Sequence, residues 1–497
     1  MKRLTAALTV CGVLAVGYAG LDTADLVPGV LTTRPVPPPP PTETPGTRTL
    51  PVVPQPTPST SIRMPLGSLA GDSAAPSPPG LRAALAGVIR MPALADASLV
   101  VRDAQSGAVL FDQGGSTTRI PASTTKLLTA AAVGQAFAPD ETLTTEVRLG
   151  GRADEIVLVA GGDSLIDPGD GDPTAVAGRA GLADLADQVA RALRDDGTLR
   201  VTLSVDESYA PGPPRAATWG ESFQALGIVG TVAMLGLSSE RAELDKAAPL
   251  DPVGSTAAAF AALLEDRGIQ VTAVERPGQA PGGPGARPTP GSTGPPTGTP
   301  TPDPRVLGSI ESAPVRDQLA LALTDSDNTL TEILARQAAF RAAPAGESAA
   351  AGFDGVGAWI IDQVATLGIE TRGATLVDAS GLSRENLVTA RLLTDVLVLG
   401  YDGQHPVLRT ALEGMPIAGL SGTLAGRFIA DGEPEAAAGR ARAKTGTLTG
   451  ANALAGSVVD DDGRLLVFAG LVSGAPTEPA RSALDAFVSA VAACGCR

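Results

Sequence analysis

One histidine, His405, serves the whole chain of 497 residues, and it stands before Pro406 in a loop-like Asp-Gly-Gln-His-Pro stretch. Unless that residue is the base, no Ser-His-Asp triad can be assembled, and a zinc site built from several His and Cys is excluded. Lysine is nearly as scarce: only Lys2, Lys126, Lys246 and Lys444 stand among 37 basic residues. Where arginine carries almost all positive charge, a retained lysine points to chemistry that needs an amine able to lose its proton, which guanidinium cannot do. Cysteine is confined to Cys11 in an N-terminal apolar run and to Cys494 and Cys496 at the far end, so no disulfide framework follows; the terminal pair could bridge to itself only in a strained small ring, and it reads rather as a mobile tail. Aromatics make up 3% of the chain against a hydrophobic fraction of 43%, so the core must be built from closely packed Ala, Val and Leu. The net charge is −16 and no Lys/Arg block occurs, which excludes the electrostatic footprint of a nucleic-acid binder.

What is present begins with an export pattern. Lys2 and Arg3 precede an uncharged run from Leu4 to Leu21, which as a helix spans roughly 27 Å, enough to cross a bilayer. Residues 1–21 are therefore expected to be a signal peptide, with Gly17-Tyr18-Ala19 as a small-residue cleavage site, or an uncleaved membrane anchor. Either places the remainder outside the cytoplasm, in the cell envelope or secreted. Residues 22–79 follow as a linker, Pro-rich between 34 and 60, a composition that favours an extended polyproline stalk.

Beyond the linker, Leu81–Arg90 reads as a short helix. The runs 98–103 and 108–112 flank a Gln-Ser-Gly turn, and 451–459 and 465–472 flank Asp-Asp-Asp-Gly; both are hairpins. Segments 317–340, 354–367, 388–400 and 478–493 carry helical apolar spacing. Hairpins at both ends with helices between predict an α+β fold: an antiparallel sheet built from the two chain ends, covered by a helical layer. The catalytic body is then 80–140 with 307–497. Residues 141–306 read as a large inserted domain with strands at 155–160 and 200–205, helices near 182–194 and 255–268, and a Pro/Gly/Thr-rich tract at 277–304 too rich in breakers for regular structure.

Three short motifs carry the chemistry: Ser123-Thr-Thr-Lys126, Ser326-Asp-Asn328 and Lys444-Thr-Gly446. Ser123 and Lys126 are three apart behind Pro121 and share one face of a helix that proline starts, with Ser123 at the N-terminus, where free amides and the helix dipole favour an oxyanion. With histidine excluded, Lys126 is the natural proton acceptor for a Ser123 nucleophile. Lysine titrates at about 10.4 and must fall by roughly 3 pH units, about 4 kcal/mol, to act at neutral pH; burial beside Leu127 and Leu128 and a second cation at Lys444 push it that way. Ser326 is placed to relay a proton to the leaving amine, and Asn328 to hold either the substrate amide or Lys126. Lys444 and Thr445 suit a terminal carboxylate, and Gly446 suits close approach of a substrate backbone at a strand edge. The Thr447 amide, with that of Ser123, suits an oxyanion pocket. No metal or cofactor is expected.

The three motifs in this order resemble those of the penicillin-binding and serine β-lactamase superfamily, and more closely the D-alanyl-D-alanine carboxypeptidase/endopeptidases of the class C low-molecular-mass type, which carry a large insertion between the first two motifs. Gly161-Gly-Asp-Ser-Leu165, Ser312-Ala-Pro314, Asp378-Ala-Ser-Gly-Leu-Ser-Arg384 and Gly422-Thr-Leu424 ahead of Arg427 extend the resemblance over 80–495. It implies a penicillin-binding transpeptidase-like fold, hydrolysis of the terminal D-Ala-D-Ala bond of peptidoglycan stem peptides, action on cross-links as well, and acylation of Ser123 by β-lactams. It also implies that the 380–384 loop, including Leu382 and Arg384, lines the substrate cleft. The rivals are a serine β-lactamase, which lacks here a Glu-x-x-x-Asn pair to hold a deacylating water, and a catalytically inactive wall-binding scaffold, against which the intact motifs argue.

Overall fold

The computed structural model describes residues 73–152, 154–276, 305–343, 352–430 and 433–496; the expected signal segment, the Pro-rich stretch and the 277–304 tract lie outside them. Among these residues the strands are, in chain order, β1 (Ala97–Asp103), β2 (Val109–Gln113), β3 (Thr118–Arg119), β4 (Thr144–Leu149), β5 (Glu155–Val159), β6 (Arg200–Asp206), β7 (Gln270–Glu275), β8 (Val306–Glu311), β9 (Val388–Thr389), β10 (Ile429–Ala430), β11 (Glu433–Pro434), β12 (Ala441–Leu448), β13 (Ala451–Val459) and β14 (Leu465–Ser473).

The two ends of the chain share one sheet, in the order β12-β13-β14-β1-β2. All its pairings are antiparallel, and β1 lies against β14 with Ala97 opposite Val472 and Asp103 opposite Leu466. Both faces are covered, so β13 and β14 read as almost unbroken apolar runs rather than alternating ones. Side chains still alternate between two cores. Leu99, Val101, Leu454, Leu466 and Phe468 meet Leu484, Phe487 and Val488 of the C-terminal helix Thr477–Ala492, where the Phe468 and Phe487 rings pack edge-on with centroids 6.4 Å apart. Val100, Ala453, Ala455, Val467 and Ala469 face the helical layer, which is rich in alanine.

At the centre of that layer runs the helix Thr125–Ala136, with Lys126 through Val133 all buried. Small side chains there let it lie close to its neighbours, Asn328–Ala342 and Phe353–Thr366. The expected helix over 317–340 is two helices, Val315–Asp325 and Asn328–Ala342. Ser326 breaks it in the left-handed conformation at φ 58°, and the Asp327 carboxylate caps the second helix by accepting the Leu330 N–H at 2.9 Å. Apolar periodicity runs through the break, which is why spacing alone misses it. A smaller difference falls near the start, where 81–90 is a helix Pro78–Leu85 followed by a 3₁₀ turn Val88–Arg90.

A second sheet has the order β7-β6-β5-β4-β8, with β5, β6 and β7 parallel and β4 antiparallel to both its neighbours. It runs on to Glu311, so the strand Val306–Glu311 pairs with β4. Ile156, Leu158, Val201 and Leu203 form its core with Leu185 and Val189 of the helix Leu182–Asp195 and with Phe260 and Leu264 of Pro252–Asp266.

The C-terminus is not a loose tail. Cys494 is 2% exposed within the core under the C-terminal helix, it is disulfide-bonded to Cys496, and the Cys496 carbonyl accepts the Ser77 N–H at 2.7 Å. Apolar packing and one long-range hydrogen bond hold a segment whose composition alone suggested mobility.

Candidate active site

Pro121 does not start an α-helix directly. A 3₁₀ turn, Ala122–Thr124, comes first, and the α-helix begins at Thr125. Ser123 therefore sits in a tight turn ahead of the helix rather than in its first α-turn. Ala122 has φ 47°, a conformation that costs energy for a non-glycine residue and persists where surrounding structure enforces it. The enforcement is visible. Thr124 Oγ1 donates to the Pro121 carbonyl and Thr125 Oγ1 to that of Ala122, each at 2.8 Å. Two glycines also press on the turn. A Cβ on Gly381, itself at φ 86°, would lie 1.9 Å from the Ala122 oxygen, and one on Gly446 would lie 2.5 Å from that of Pro121. Gly446 is thus required by the turn that carries Ser123, a different reason from the approach of a substrate backbone.

Lys126 is 1% exposed. Its Nζ lies 3.2 Å from Ser123 Oγ, and donates to Asn328 Oδ1 at 2.6 Å and to the Ser380 carbonyl at 2.7 Å. Asn328 thereby holds the lysine, and its Nδ2 donates to the Ile228 carbonyl at 2.7 Å, which fixes the amide's orientation. Burial lowers the Lys126 pKa to about 8, against the opposing pull of the Glu332, Asp378 and Asp327 carboxylates. The fall is in the direction expected, with desolvation as its chief cause.

Ser326, held in the left-handed turn, accepts a hydrogen bond from Lys444 Nζ at 2.8 Å; the same amine donates to the Thr445 carbonyl at 3.0 Å. Lys444 is fully buried, and burial together with the charge of Lys126 pushes it well below the ordinary lysine value. Two of the three lysines among the described residues are thus buried here, whereas Lys246 pairs on the surface with Glu243. Thr445 lies on β12, an edge strand, with its hydroxyl 3.0 Å from that of Thr423. Thr447 is exposed further along the same edge, and its Oγ1 accepts from Arg481 Nη2 at 3.4 Å.

The structure brings together Ser123, Lys126 and Asn328 on one side and Ser326, Lys444 and Thr445 on the other, joined through the Ser326–Asn328 turn. Leu382 is placed differently from its expected position in the cleft lining: it is 6% exposed and packs into the core of the second sheet. Its neighbour Arg384 is exposed and reaches the Thr449 carbonyl at 2.7 Å, tying the 380–384 loop to the end of β12. Arg427 is spent on Asp485 of the C-terminal helix.

Sequence reasoning missed the support beneath Lys126. Glu332, 2% exposed, accepts the Ala379 N–H at 3.1 Å and the Ser380 N–H at 2.7 Å, so it holds the very residue whose carbonyl meets Lys126. Asp378, fully buried, accepts from the Gly381 and Ser383 amides, Asn386 Nδ2 and Trp219 Nε1, at 2.6 to 2.8 Å. One signal was available: Glu332 follows Asn328 by four residues and therefore shares its helix face.

These contacts make two predictions. If Lys126 must be neutral to accept a proton, its reactive form grows as pH rises, so the acylation rate should climb about tenfold per pH unit below 8 and level off above it. A rate by labelled penicillin that falls between pH 6 and 8 would contradict this. In Glu332→Gln, one oxygen still accepts the loop amides, but the charge that raises the Lys126 pKa is gone; burial lifts the Glu332 carboxyl to about 7, so that charge is present in the wild type above about pH 7. The rising limb should move to lower pH with a plateau within about threefold of wild type, and an unmoved limb would contradict the coupling.

Comparisons with known proteins identify the family. The chain matches the family described as D-Ala-D-Ala carboxypeptidase 3 (S13) over residues 81–238 and 296–493. It is 34% identical over 452 residues to the carboxypeptidase DacB of Mycolicibacterium smegmatis, covering 90% of each chain. To the D-alanyl-D-alanine carboxypeptidase of an Actinomadura species it is 30% identical over 448 residues, covering 78% of this chain and 79% of the relative. Its fold is similar to the crystal structure of penicillin binding protein 4 from Haemophilus influenzae, with a TM-score of 0.62 at 19% identity over 80% of this chain and 95% of that one. The chain belongs to the D-Ala-D-Ala carboxypeptidase 3 (S13) family and is a serine-type carboxypeptidase.

Proposed function

We propose that Ser123 attacks the carbonyl of the terminal D-Ala-D-Ala bond of a peptidoglycan stem peptide, with Lys126 as base, and that β-lactams acylate the same serine. The observation that carries this reading is the buried Lys126 amine 3.2 Å from Ser123 Oγ, with a pKa lowered to about 8. As the Oγ–C bond forms, the hydroxyl proton passes to Lys126 Nζ and negative charge gathers on the carbonyl oxygen, facing the Ser123 and Thr447 amides. Lys444 and Thr445 take the substrate's terminal carboxylate, which supplies the counter-charge that the buried ammonium otherwise lacks. The proton now on Lys126 reaches the departing amine through the Ser326 hydroxyl, D-alanine leaves, and an ester remains on Ser123 with Lys126 neutral again. Water then attacks the ester carbon as its proton passes to Lys126, which hands that proton to Ser123 Oγ as the ester bond breaks and the acid is released.

The rival β-lactamase reading needs a free carboxylate to activate that water for penicillin. Glu332, a carboxylate whose charge acts on Lys126, spends its oxygens on the Ala379 and Ser380 amides, which favours slow release of the penicilloyl group. The same geometry suits cleavage of cross-links, whose scissile bond also follows a D-alanine. With this substrate the enzyme works outside the cytoplasm, in keeping with the export pattern of residues 1–21.

Incubation with a pentapeptide ending in D-Ala-D-Ala should release D-alanine, and intact mass after penicillin should show one persistent adduct on Ser123. No release and no adduct would end the proposal; rapid penicillin turnover would favour the rival.

A further inference from the structure

A cavity of about 400 Å³ lies between the region around the second sheet and the helix Asn328–Ala342, walled in part by Glu207, Met234, Val253, Arg276 and Arg336. Its volume is in the range of small-molecule sites. Arg336 lies eight residues beyond Asn328, roughly 12 Å along the helix, so the cavity is separate from Ser123.

Arg336 is 3% exposed. One of its N–H groups donates to the Pro213 carbonyl at 2.6 Å, and its guanidinium stacks over the Phe353 ring at 4.9 Å. Among the described residues no carboxylate forms an ion pair with it; the charge of Glu332, one turn back, acts on it, but the Glu332 oxygens are taken by the loop amides. A guanidinium has five donors in a planar fork, and one buried without a counter-charge is costly. The other cation on the wall is already satisfied: Arg276 bonds both Glu207 oxygens at 2.7 and 2.8 Å and both Asp251 oxygens at 2.7 and 2.6 Å. Arg276 offsets one of the two carboxylate charges it bridges, so with Arg336 the four charged groups on the wall sum to zero, and Arg336 is the cation among them that makes no ion pair.

We propose that this cavity is a second binding site, taking a small monocarboxylate with an apolar body whose two oxygens pair with the Arg336 fork. The fork favours a planar carboxylate, and Met234 and Val253 suit a short aliphatic or acyl group. The test uses protein whose Ser123 has first been acylated by penicillin, which closes the other carboxylate site, with N-acetyl-D-alanine titrated in by calorimetry. One saturable site is expected, weakened at least tenfold in Arg336→Met, while penicillin acylation of that variant stays within about threefold and reports its folding. Absence of saturable binding, or equal binding by a folded Arg336→Met, overturns the proposal. Crystals of the unmodified enzyme soaked in 3-bromopropionate give a reading that needs neither the variant nor acylation: bromine signal beside Arg336 is expected, and none there counts against the site. Because the soak does not depend on Ser123 chemistry, failure of this inference and failure of the proposed mechanism are told apart.

Discussion

Ser123→Ala should leave no penicilloyl adduct by intact mass and reduce D-alanine release by on the order of 10⁶-fold, the scale seen when a serine nucleophile is removed. Ser123 is half-buried in its turn and its hydroxyl faces Lys126, so losing one oxygen removes no core packing. Thr124, Thr125, Gly381 and Gly446 still hold the backbone of the turn. The variant should therefore fold and still bind substrate, which separates lost chemistry from lost structure. An adduct of unchanged yield on the alanine protein would place the nucleophile elsewhere.

Lys126→Arg is the sharper test because it keeps a positive charge. Arginine cannot release its proton in water, and general-base assistance contributes roughly 10²–10⁴-fold. The site is also tight: the lysine amine is closely surrounded by Ser123 Oγ, Asn328 Oδ1 and the Ser380 carbonyl, and a branched guanidinium has no room among them. Acylation by fluorescent penicillin should fall by about 10³-fold or more. Circular dichroism and a melting curve alongside establish that the protein is folded. Labelling at the wild-type rate would refute Lys126 as the base.

Both expectations begin from residues whose types were informative before any fold was known. Two of the few lysines stood in S-x-x-K and K-T-G, and both proved to be buried amines at one site. The two hairpins were equally legible, since turn residues and apolar runs are local properties. Their union into one sheet followed from the rule that exposed apolar faces find each other.

Other features were hidden for a common reason. Glu332 looks like an ordinary acidic residue, and Asp378, though it opens a stretch that carries the resemblance, shows no role of its own, until the fold buries both and turns four or more amides toward them. Leu382 sits in a loop that the resemblance assigns to the cleft, yet its apolar side chain finds more complete burial in the core of the second sheet. The break at Ser326 was masked because the helices on either side continue one apolar period, whereas the cap at Asp327 and the left-handed turn are held by individual hydrogen bonds. Pairing of β8 with β4 joins segments separated by more than 150 residues, a choice that neither segment encodes alone.

Residue types and their order were enough to name the reaction: a serine, two amines and no usable imidazole admit few ways to cleave an acyl bond. Whether an amine is neutral at working pH is another matter. That depends on removal of water by side chains drawn from distant parts of the chain, against the opposing pull of carboxylates brought beneath it, so only the folded arrangement could bring the Lys126 pKa down to about 8.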